Sequence, residues 1–272
     1  MAQPPIKRLL ITGAAGNLGR AARADLHTIA SAVRLSDIAA MEPAKAGHNE
    51  EIVQCDLAQA SAVDALCEGV DAILHLGGQA TEAPWPTVLQ SNIVGLINLY
   101  EAARKAGVGR VLFASSNHAI GFHRRTQRLD HTSPARPDGR YGLSKAFGED
   151  IAALYADKFG IKSFCMRIGS CFPEPTTGRM LSTWLSYADF LRLVRVGLTA
   201  AYDYEIVYGV SANTRTWWDN SNAARLGYAP QDNAEAFAEK VAHAPAEDPV
   251  AALFQGGTFA SDEFIGTHTR VP

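Results

Sequence analysis

A glycine-rich turn between a strand and a helix is the feature of this chain that most constrains its fold. Residues 8–12 form an apolar run typical of a buried strand, and they lead directly into Gly13-Ala-Ala-Gly16-Asn-Leu-Gly19. A helical pattern follows over residues 17–30. Glycines at these spacings let the backbone turn tightly and approach a phosphate group at the helix N-terminus. The turn therefore predicts a dinucleotide-binding unit, with Asn17 and Leu18 among its binding residues.

Further apolar runs alternate with helical stretches along the chain. The predicted strands are residues 8–12, 32–36, 52–55, 72–76, 111–114 and 163–168, and the predicted helices between them include 61–67, 88–106 and 141–158. Near-continuous apolar runs suit strands buried on both faces of a parallel sheet. We therefore expect an α/β fold, a Rossmann-type doubly wound parallel sheet. Residues 1–169 are expected to bind the dinucleotide, and residues 170–272 to form a small C-terminal substrate lobe interleaved with the last strands.

The composition is that of a globular protein and argues against two kinds of partner. Hydrophobic residues make up 47% of the 272 residues and charged residues 19%, with a formal net charge of −3. This balance favours neither nucleic acid nor an anionic membrane surface as a partner, and no apolar run approaches the roughly 18 residues of a membrane span. The segment from Met1 to Arg8 lacks the apolar core of a signal peptide. The four cysteines form no CxxC pair and no metal-ligand spacing, so we expect reduced thiols, no metal site and a cytoplasmic location.

Acidic residues after the second and third strands indicate which dinucleotide the fold binds. Asp37 ends the second strand, where a carboxylate accepts hydrogen bonds from the adenosine ribose and repels a 2′-phosphate. NAD is therefore favoured over NADP, and Arg34 is expected on the opposite face of the strand. Asp56 and Leu57 follow the third strand and are expected to contact the adenine. The alternatives are an ordinary turn residue for Asp37 and a helix N-cap for Asp56.

Two more features belong to the cofactor-binding half. Leu76 and Gly77 end the fourth strand and precede Gly78, at a point where a side chain would obstruct a bound dinucleotide. Asn92 lies inside a predicted helix, although asparagine is a poor helix former. It is expected either to tie that helix to the loop after the fourth strand or to bind the cofactor directly.

A tyrosine and a lysine four residues apart predict the chemistry. Tyr141 and Lys145 stack on one face of a helix, and an ammonium close to a phenol favours the phenolate. A free phenol has a pKa of about 10, so a general base has to have it lowered to about 8 to work at mildly alkaline pH. Lys145 and a positively charged nicotinamide are expected to supply this effect, and Lys145 also to bind the nicotinamide ribose. Ser116, with Ser115 as the alternative, is expected to hydrogen-bond the substrate oxygen that loses its proton. A base of this kind next to a bound nicotinamide predicts an oxidoreductase.

Polar residues after the fifth and sixth strands are candidate substrate ligands. Asn117 and His118 follow Ser116, and His118 is expected to donate to substrate or to pack, with a second general base as the alternative. Ser170 and Arg179 follow the sixth strand, and a guanidinium at this point could bind a carboxylate through two hydrogen bonds. The alternative for Arg179 is an ordinary surface arginine.

The predicted helices 88–106 and 141–158 carry apolar residues around most of their circumference. Covering a sheet uses only one face of a helix, so the second apolar face predicts a partner helix and assembly into a homo-oligomer. The alternative is that the two helices pack against each other or against the C-terminal region.

Motifs that carry a family resemblance run through nearly the whole chain. They are Thr12-Gly-x-x-Gly-x-x-Gly19, Asp37, Asp56, Phe113-Ala-Ser-Ser-Asn-His118, Arg136-Pro-Asp-Gly-x-Tyr-Gly-x-Ser-Lys145, Arg167-Ile-Gly-Ser-Cys171, Pro173-Glu-Pro175, Arg179-Met-Leu-Ser-Thr-Trp184, Trp217-Trp-Asp-Asn220 and Phe254-Gln-Gly-Gly-Thr-Phe259. Together they resemble the extended short-chain dehydrogenase/reductase superfamily and, within it, the uronate dehydrogenase family.

The resemblance implies NAD-dependent oxidation of a hexuronic acid, D-galacturonate or D-glucuronate, at C1 to the aldaric acid lactone. Tyr141 would be the general base, and the hydride would pass to nicotinamide C4. The implied sugar site is lined by Ser116, Asn117, His118, Tyr141, Ser170, Arg179 and Phe259. Arg179 would bind the C6 carboxylate. At Ala80 the family tends to have a serine that touches substrate, so the preference between the two sugars stays open. The alternative within the superfamily is a nucleotide-sugar epimerase or dehydratase, for which the C-terminal region is short.

Overall fold

A sheet of seven strands runs through the structure, a computed structural model that describes residues 6–267. The described residues form nine strands, of which seven belong to this sheet. They are β1 (Ile6–Thr12), β2 (Ala30–Asp37), β3 (Glu50–Gln54), β4 (Ala72–His75), β5 (Arg110–Ser116), β6 (Lys162–Ile168), β7 (Ser170–Cys171), β8 (Trp184–Leu185) and β9 (Tyr204–Gly209). The sheet has the order β3-β2-β1-β4-β5-β6-β9, and β7 pairs separately with β8. β1 pairs in parallel with β2 and β4, β2 with β3, and β4 with β5. An order that starts in the middle and steps outward on both sides is the doubly wound arrangement, so the predicted fold class is confirmed.

The central strands are buried because their side chains are apolar on both faces. Leu9, Leu10 and Ile11 of β1 are fully buried, as are Ile73 and Leu74 of β4. Successive side chains of a strand point to opposite faces of the sheet. Burial of consecutive residues therefore means that both faces are covered, as the apolar runs predict.

The strand register aligns the carboxyl ends of three neighbouring strands. Thr12 of β1 pairs with Ser36 of β2 and with His75 of β4. The residues that come next along the chain, including Gly13 and Asp37, therefore emerge at the same edge of the sheet. Ligands of doubly wound folds bind at this edge.

The long helices largely match their predicted spans. The first five helices are α1 (Asn17–Asp25), α2 (Ala60–Cys67), α3 (Trp85–Val88), α4 (Gly95–Ala106) and α5 (Arg140–Phe159). The predicted helix 17–30 is too long, because a tighter turn at Leu26–Thr28 follows α1 and β2 already begins at Ala30. The N–H of Ile29 donates to the carbonyl of Leu26 at 3.0 Å, which closes this turn.

The predicted helix 88–106 consists of three consecutive segments. α3 leads into a π-helical turn at Leu89–Val94, and α4 then ends at Ala106 and is capped by Gly107, which has a φ of 73°. In the π-helical turn, Asn92 Oδ1 accepts from the N–H of Gln79 at 2.7 Å, and Asn92 Nδ2 donates to the carbonyl of Gln79 at 3.0 Å. The structural role predicted for Asn92, which was to tie this helix to the loop after the fourth strand, is therefore confirmed.

The described residues divide into two compact units, each assembled from three stretches of chain. The first unit comprises the described residues through Ala114, with Phe147–Cys165 and Val194–Glu205. The second unit comprises Ser115–Ala146, Met166–Leu193 and the described residues from Ile206 onward. The boundary predicted between residues 169 and 170 stays a prediction. Expectations that concern residues 1–5 and 268–272 lie outside the described residues.

Short helices make up much of the second half of the chain. They are α6 (Met180–Thr183), the longer α7 (Tyr187–Thr199), α8 (Ser221–Arg225), α9 (Ala238–Val241), α10 (Pro249–Leu253) and α11 (Thr258–Ser261). In the second unit Trp218 stacks on Tyr208 with ring centroids 4.9 Å apart, and its Nε1 donates to Gln255 Oε1 at 2.8 Å. This contact ties the C-terminal segment into an apolar core. Across residues 6–267, no helix combines the length and the apolar character needed to cross a membrane.

Candidate active site

The glycine turn of the first unit is packed so closely that glycine is required. Gly13 has a φ of +71°, and a Cβ there would lie 2.6 Å from the backbone of Leu76 and Gly77. A Cβ on Gly19 would lie 2.3 Å from the carbonyl oxygen of Gly13. Gly16 is the N-cap residue of α1 and makes no side-chain capping bond. The turn therefore brings backbone, not side chains, to the N-terminus of α1, which is the arrangement that accepts a pyrophosphate.

Asn17 and Leu18 lie in the first turn of α1, next to an arginine that sequence analysis did not single out. Asn17 is exposed, and its Oδ1 accepts from Arg20 Nη2 at 2.6 Å. Arg20 also donates to the carbonyl of Ala15 within the glycine turn. Leu18 is half-buried. Arg20 thus adds a positive charge beside the helix N-terminus.

Asp37, the last residue of β2, lies beside the glycine turn. Its Oδ2 accepts from the N–H of Ala15 at 2.9 Å, and its Oδ1 accepts from the N–H of Ala39 at 2.9 Å. Arg34 is held elsewhere, because its Nε donates to Glu51 Oε2 at 2.8 Å and its Nη1 to a backbone carbonyl at 2.6 Å. The charge that the first unit presents at the end of β2 is therefore negative.

Asp56 and Leu57 follow β3 and approach the end of β4. Asp56 Oδ1 accepts from the N–H of Ala58 at 2.9 Å, whereas the N-cap residue of α2 is Gln59. The alternative of a helix N-cap for Asp56 is therefore wrong. A Cβ on Gly77 would lie 3.3 Å from Leu57 Cδ1, so these two predicted cofactor residues are neighbours.

A buried polar pair at the same strand ends was missed by sequence analysis. Thr12 Oγ1 and His75 Nδ1 are 2.7 Å apart, and both residues are buried. The N–H of Gly77 also donates to Thr12 Oγ1, at 3.4 Å. The pair helps to fix the start of the loop after β4. Its signal in the sequence is weak, because a threonine and a histidine at strand ends have many other uses.

In the second unit, Tyr141 is buried beside Ser116 and Lys145. The Tyr141 hydroxyl shares a hydrogen bond with Ser116, and Lys145 Nζ lies 5.5 Å from the centre of the tyrosine ring. Ser116 Oγ also accepts from the N–H of His118 at 3.1 Å. Ser116, the preferred of the two candidate serines, therefore contacts the candidate base.

Burial dominates the ionisation of both candidate catalytic groups. It raises the pKa of Tyr141 to about 12, partly offset by the hydrogen bond with Ser116 and reinforced by the negative charge of Asp138. Burial also lowers the pKa of Lys145 to about 8. The residues of the chain alone therefore do not produce the expected lowering of the Tyr141 pKa. Removing a phenolate from water costs more free energy than the neighbouring groups return.

His118 is held by an acidic residue and an aromatic ring. Its Nδ1 lies 2.7 Å from Asp138 Oδ2, and its ring stacks on Phe259 with centroids 3.9 Å apart. The rings of Tyr141 and His118 pack edge to face, with their centroids 5.8 Å apart. Asp138 was not among the predicted site residues, although it lies in the motif that precedes Tyr141. Its Pro-Asp-Gly context looks like an ordinary turn.

Arg179 contacts two other predicted substrate residues. Its Nε donates to the carbonyl of Gln255 at 2.8 Å, and its Nη1 donates to Ser170 Oγ at 3.3 Å. With the Asn117 amide turned so that its oxygen faces the guanidinium, Asn117 accepts from Nη2 at 2.6 Å and donates to the carbonyl of Ile168 at 3.1 Å. Burial lowers the pKa of Arg179 to about 10, and the charge of Arg125 acts in the same direction. These three acceptors are all uncharged, and the negative charges of Asp138 and Glu247 nearby partly offset the lowering of the pKa.

The second unit thus brings the predicted catalytic and substrate residues into mutual contact. The observed contacts are Ser116 with Tyr141, His118 with Phe259, Arg179 with Ser170 and Arg179 with Asn117. Tyr141 and Lys145 belong to this unit, whereas the other predicted cofactor residues belong to the first unit. Their functional roles stay predictions.

The chain is similar to known proteins over nearly its whole length. Residues 9–204 match the family described as the NAD dependent epimerase/dehydratase family. A uronate dehydrogenase of Pseudomonas putida is 52% identical over 263 residues, which cover 96% of this chain and 98% of that protein.

Two solved structures share the fold and about half of the sequence. One is a uronate dehydrogenase from Agrobacterium tumefaciens, a tyrosine-to-alanine mutant complexed with NAD, with a TM-score of 0.90, 51% identity, and coverage of 94% of this chain and 97% of that one. The other is a glucuronic acid dehydrogenase from Chromohalobacter salexigens, with a TM-score of 0.90, 50% identity, and coverage of 97% of this chain and 98% of that one.

Proposed function

The chain belongs to the NAD-dependent epimerase/dehydratase family and, within it, to the uronate dehydrogenases, and from this we propose that it oxidises free D-galacturonate or D-glucuronate at C1 to the aldaric acid lactone. It is an NAD-dependent oxidoreductase. The observation that carries the choice of substrate is Arg179, a partly buried guanidinium whose acceptors within the second unit are uncharged.

The first unit fits the cofactor. Side chains at Gly13 or Gly19 would collide with backbone atoms of the turn, and Asp37 carries the charge that suits ribose hydroxyls. The residues proposed to hold NAD are Gly13, Gly16, Asn17, Leu18, Gly19, Asp37, Asp56, Leu57, Leu76, Gly77, Tyr141 and Lys145. NAD, when bound, accepts the hydride that leaves C1.

Tyr141 is proposed to remove the proton of the C1 hydroxyl. In all, the ring form of the sugar loses a hydride from C1 and this one proton from the C1 hydroxyl. C1 therefore becomes a carbonyl carbon next to the ring oxygen, and the product is a lactone. Ser116, which is hydrogen-bonded to Tyr141, orients the same oxygen. With a pKa of about 12 in the chain alone, Tyr141 needs more positive charge than Lys145 provides to act as a base, and the nicotinamide ring of bound NAD would supply it.

Arg179 is proposed to bind the C6 carboxylate of the sugar. A guanidinium has five N–H groups, and three of those of Arg179 are used by Gln255, Ser170 and Asn117. Among residues 6–267, one N–H on each of Nη1 and Nη2 has no acceptor, and two guanidinium N–H groups can bind the two oxygens of a carboxylate. His118 and Phe259 complete the proposed sugar site.

The proposal is tested by following NADH formation with four sugars. Galacturonate and glucuronate should support rapid turnover, whereas galactose and glucose, which lack the carboxylate, should be oxidised far more slowly. Equal rates with the neutral sugars would contradict the role of Arg179. Carbon NMR of the early product should detect the lactone before it hydrolyses. Turnover of nucleotide sugars without added NAD would instead indicate an epimerase or dehydratase.

Self-association is proposed through the helices 88–106 and 141–158. In the first unit, the segments 88–106 and 141–159 expose four large apolar side chains: Leu89 (46%), Ile97 (37%), Leu154 (48%) and Phe159 (43%), the last residue of α5. Covering them with a second copy of the chain would remove this surface from water. Light scattering should give a mass of at least twice the monomer, and the double substitution of Ile97 and Leu154 by lysine should reduce it. A monomeric parent protein would contradict this part of the proposal.

We also propose that the enzyme works in the cytoplasm. Its four cysteines, Cys55, Cys67, Cys165 and Cys171, are free thiols, which is typical of a reducing compartment. Cell fractionation with an antibody against the chain would test the location.

A further inference from the structure

Asp138 is a buried carboxylate that the proposed mechanism does not use. Its side chain is fully buried, whereas that of His118 is 12% exposed. Asp138 Oδ2 lies 2.7 Å from His118 Nδ1, and the N–H of Asp138 donates to the carbonyl of His118 at 3.3 Å. Within residues 6–267, its second oxygen, Oδ1, is buried without a hydrogen-bond partner. Burying a carboxylate in this way costs free energy, so the residue needs an explanation.

Three glycines enclose this carboxylate. A Cβ on Gly121 would lie 1.9 Å from Asp138 Oδ2, and one on Gly256 would lie 1.8 Å from the same oxygen. A Cβ on Gly142 would lie 2.9 Å from Oδ1. Three segments far apart in the sequence therefore lack side chains at the points where they meet Asp138, and the carboxylate has little freedom to move. Phe259 stacks on the other partner of the pair, His118.

The pair defines which ring nitrogen His118 offers to a ligand. An ionised carboxylate only accepts hydrogen bonds, so with Asp138 ionised the hydrogen between the two residues would belong to Nδ1. Nε2 is then the nitrogen left for a ligand. The orientation of the ring and the position of its hydrogen are both set by Asp138, as happens when a carboxylate holds the Nδ1–H of a functional histidine.

We infer that Asp138 is a positioning residue that holds His118 in the Nδ1–H form, with Nε2 directed at the sugar. This inference rests on the proposed function for the identity of the ligand, but not for the state of the histidine. Asp138 itself contacts neither substrate nor cofactor. It acts through His118, whose Nε2 makes the hydrogen bond to a sugar hydroxyl.

The first test is nitrogen NMR of the histidine side chains in the wild-type protein, which needs no substrate. The His118 signals are those missing from the His118→Gln variant. Nδ1 should carry a hydrogen in the wild type, and in Asp138→Leu, which has a similar shape but no acceptor, the hydrogen should no longer be confined to Nδ1. An Nδ1 without hydrogen in the wild type, or an unchanged state in Asp138→Leu, would overturn the inference. The wild-type measurement remains decisive if the variant does not fold.

The second test is a double-mutant cycle on uronate oxidation. Asp138→Asn should raise the KM for uronate about tenfold, the effect of losing one hydrogen bond, while kcat stays within threefold and the Kd for NAD is unchanged. In a His118→Gln background, Asp138→Asn should have no further effect, because the residue it positions is gone. Independent, multiplying effects would show a merely structural role and overturn the inference.

Asp189→Asn is the matched control. Asp189 is another fully buried carboxylate of the second unit, and it accepts from the N–H groups of Gln231 and Asp232. This variant should lower the melting temperature without changing the His118 signals or the uronate KM. If the wild type oxidises no uronate, the proposed function fails, whereas the NMR result still decides whether Asp138 controls His118.

Discussion

Replacing Arg179 by methionine should separate acidic from neutral sugars. Methionine keeps the apolar stem of the side chain but removes the guanidinium. The two N–H groups left for the substrate make charge-assisted hydrogen bonds, each worth about 1.5–3 kcal/mol. Their loss should cost about 3–6 kcal/mol, which lowers kcat/KM for uronate between about 150-fold and about 25,000-fold. A neutral hexose never makes these bonds, so its low kcat/KM should stay within threefold.

The assay compares kcat/KM for galacturonate and galactose in the wild type and in Arg179→Met, with NADH formation as the signal. Arg215→Met is the control, because this exposed arginine of the second unit pairs with Glu235 at 2.6 Å. Its kinetics should not change. An equal loss for both sugars in Arg179→Met would mean that Arg179 acts by holding the backbone of Gln255. A loss below tenfold for uronate would mean that the carboxylate is bound elsewhere.

Three further predictions concern the cofactor and the catalytic pair. Asp37→Asn should raise the KM for NAD about tenfold and reduce discrimination against NADP, because a charged acceptor for the ribose is lost; an unchanged KM for NAD would refute the assignment. Tyr141→Phe should lower kcat by about 10²–10⁴-fold with the Kd for NAD unchanged, and a fully active variant would end the role of Tyr141 as base. Because burial lowers the pKa of Lys145 from 10.5 to about 8, the unfolded chain binds more protons between these pH values, and the unfolding free energy contributed by this residue rises with pH there. The free energy of unfolding of Lys145→Met should therefore exceed that of the wild type below pH 8 by up to about 3 kcal/mol. This difference should shrink toward pH 10. If denaturant titrations give the same difference at pH 7 and at pH 10, the buried charge is contradicted.

The parts of the fold that sequence analysis predicted correctly depend on local rules. The glycine turn is one, because Gly13 needs a positive φ and Gly19 meets the backbone of the same turn. The strands are another, because consecutive apolar residues such as those of β1 indicate burial on both faces. Such signals lie within a few residues of each other, so a single sequence contains them.

The π-helical turn at Leu89–Val94 could not be predicted in this way. Its local sequence is compatible with an ordinary helix, and the contact described for it is made by Asn92 with the backbone of Gln79. The tie between Asn92 and the loop after β4 was predicted, but nothing in the sequence around Asn92 indicates that the helix widens into a π-helical turn there. The helix pattern was right about the presence of the segment and wrong about its regularity.

The candidate site shows the same limit. Tyr141 and Lys145 follow from a four-residue spacing, but the pKa of Tyr141 depends on how deeply the fold buries it. Asp138 was missed because its surroundings come from Gly121, Gly142 and Gly256, and two of these are distant in the sequence. A buried carboxylate inside Pro-Asp-Gly has the same local pattern as a surface turn.

The interleaving of the two units has a consequence for synthesis of the chain. The first unit includes Val194–Glu205, so the nascent polypeptide cannot complete it until about three quarters of the 272 residues have left the ribosome. Neither unit can be expressed as one uninterrupted fragment. Folding of this chain is therefore expected to be a late event in translation, and truncated products should be removed by proteases instead of persisting as stable halves.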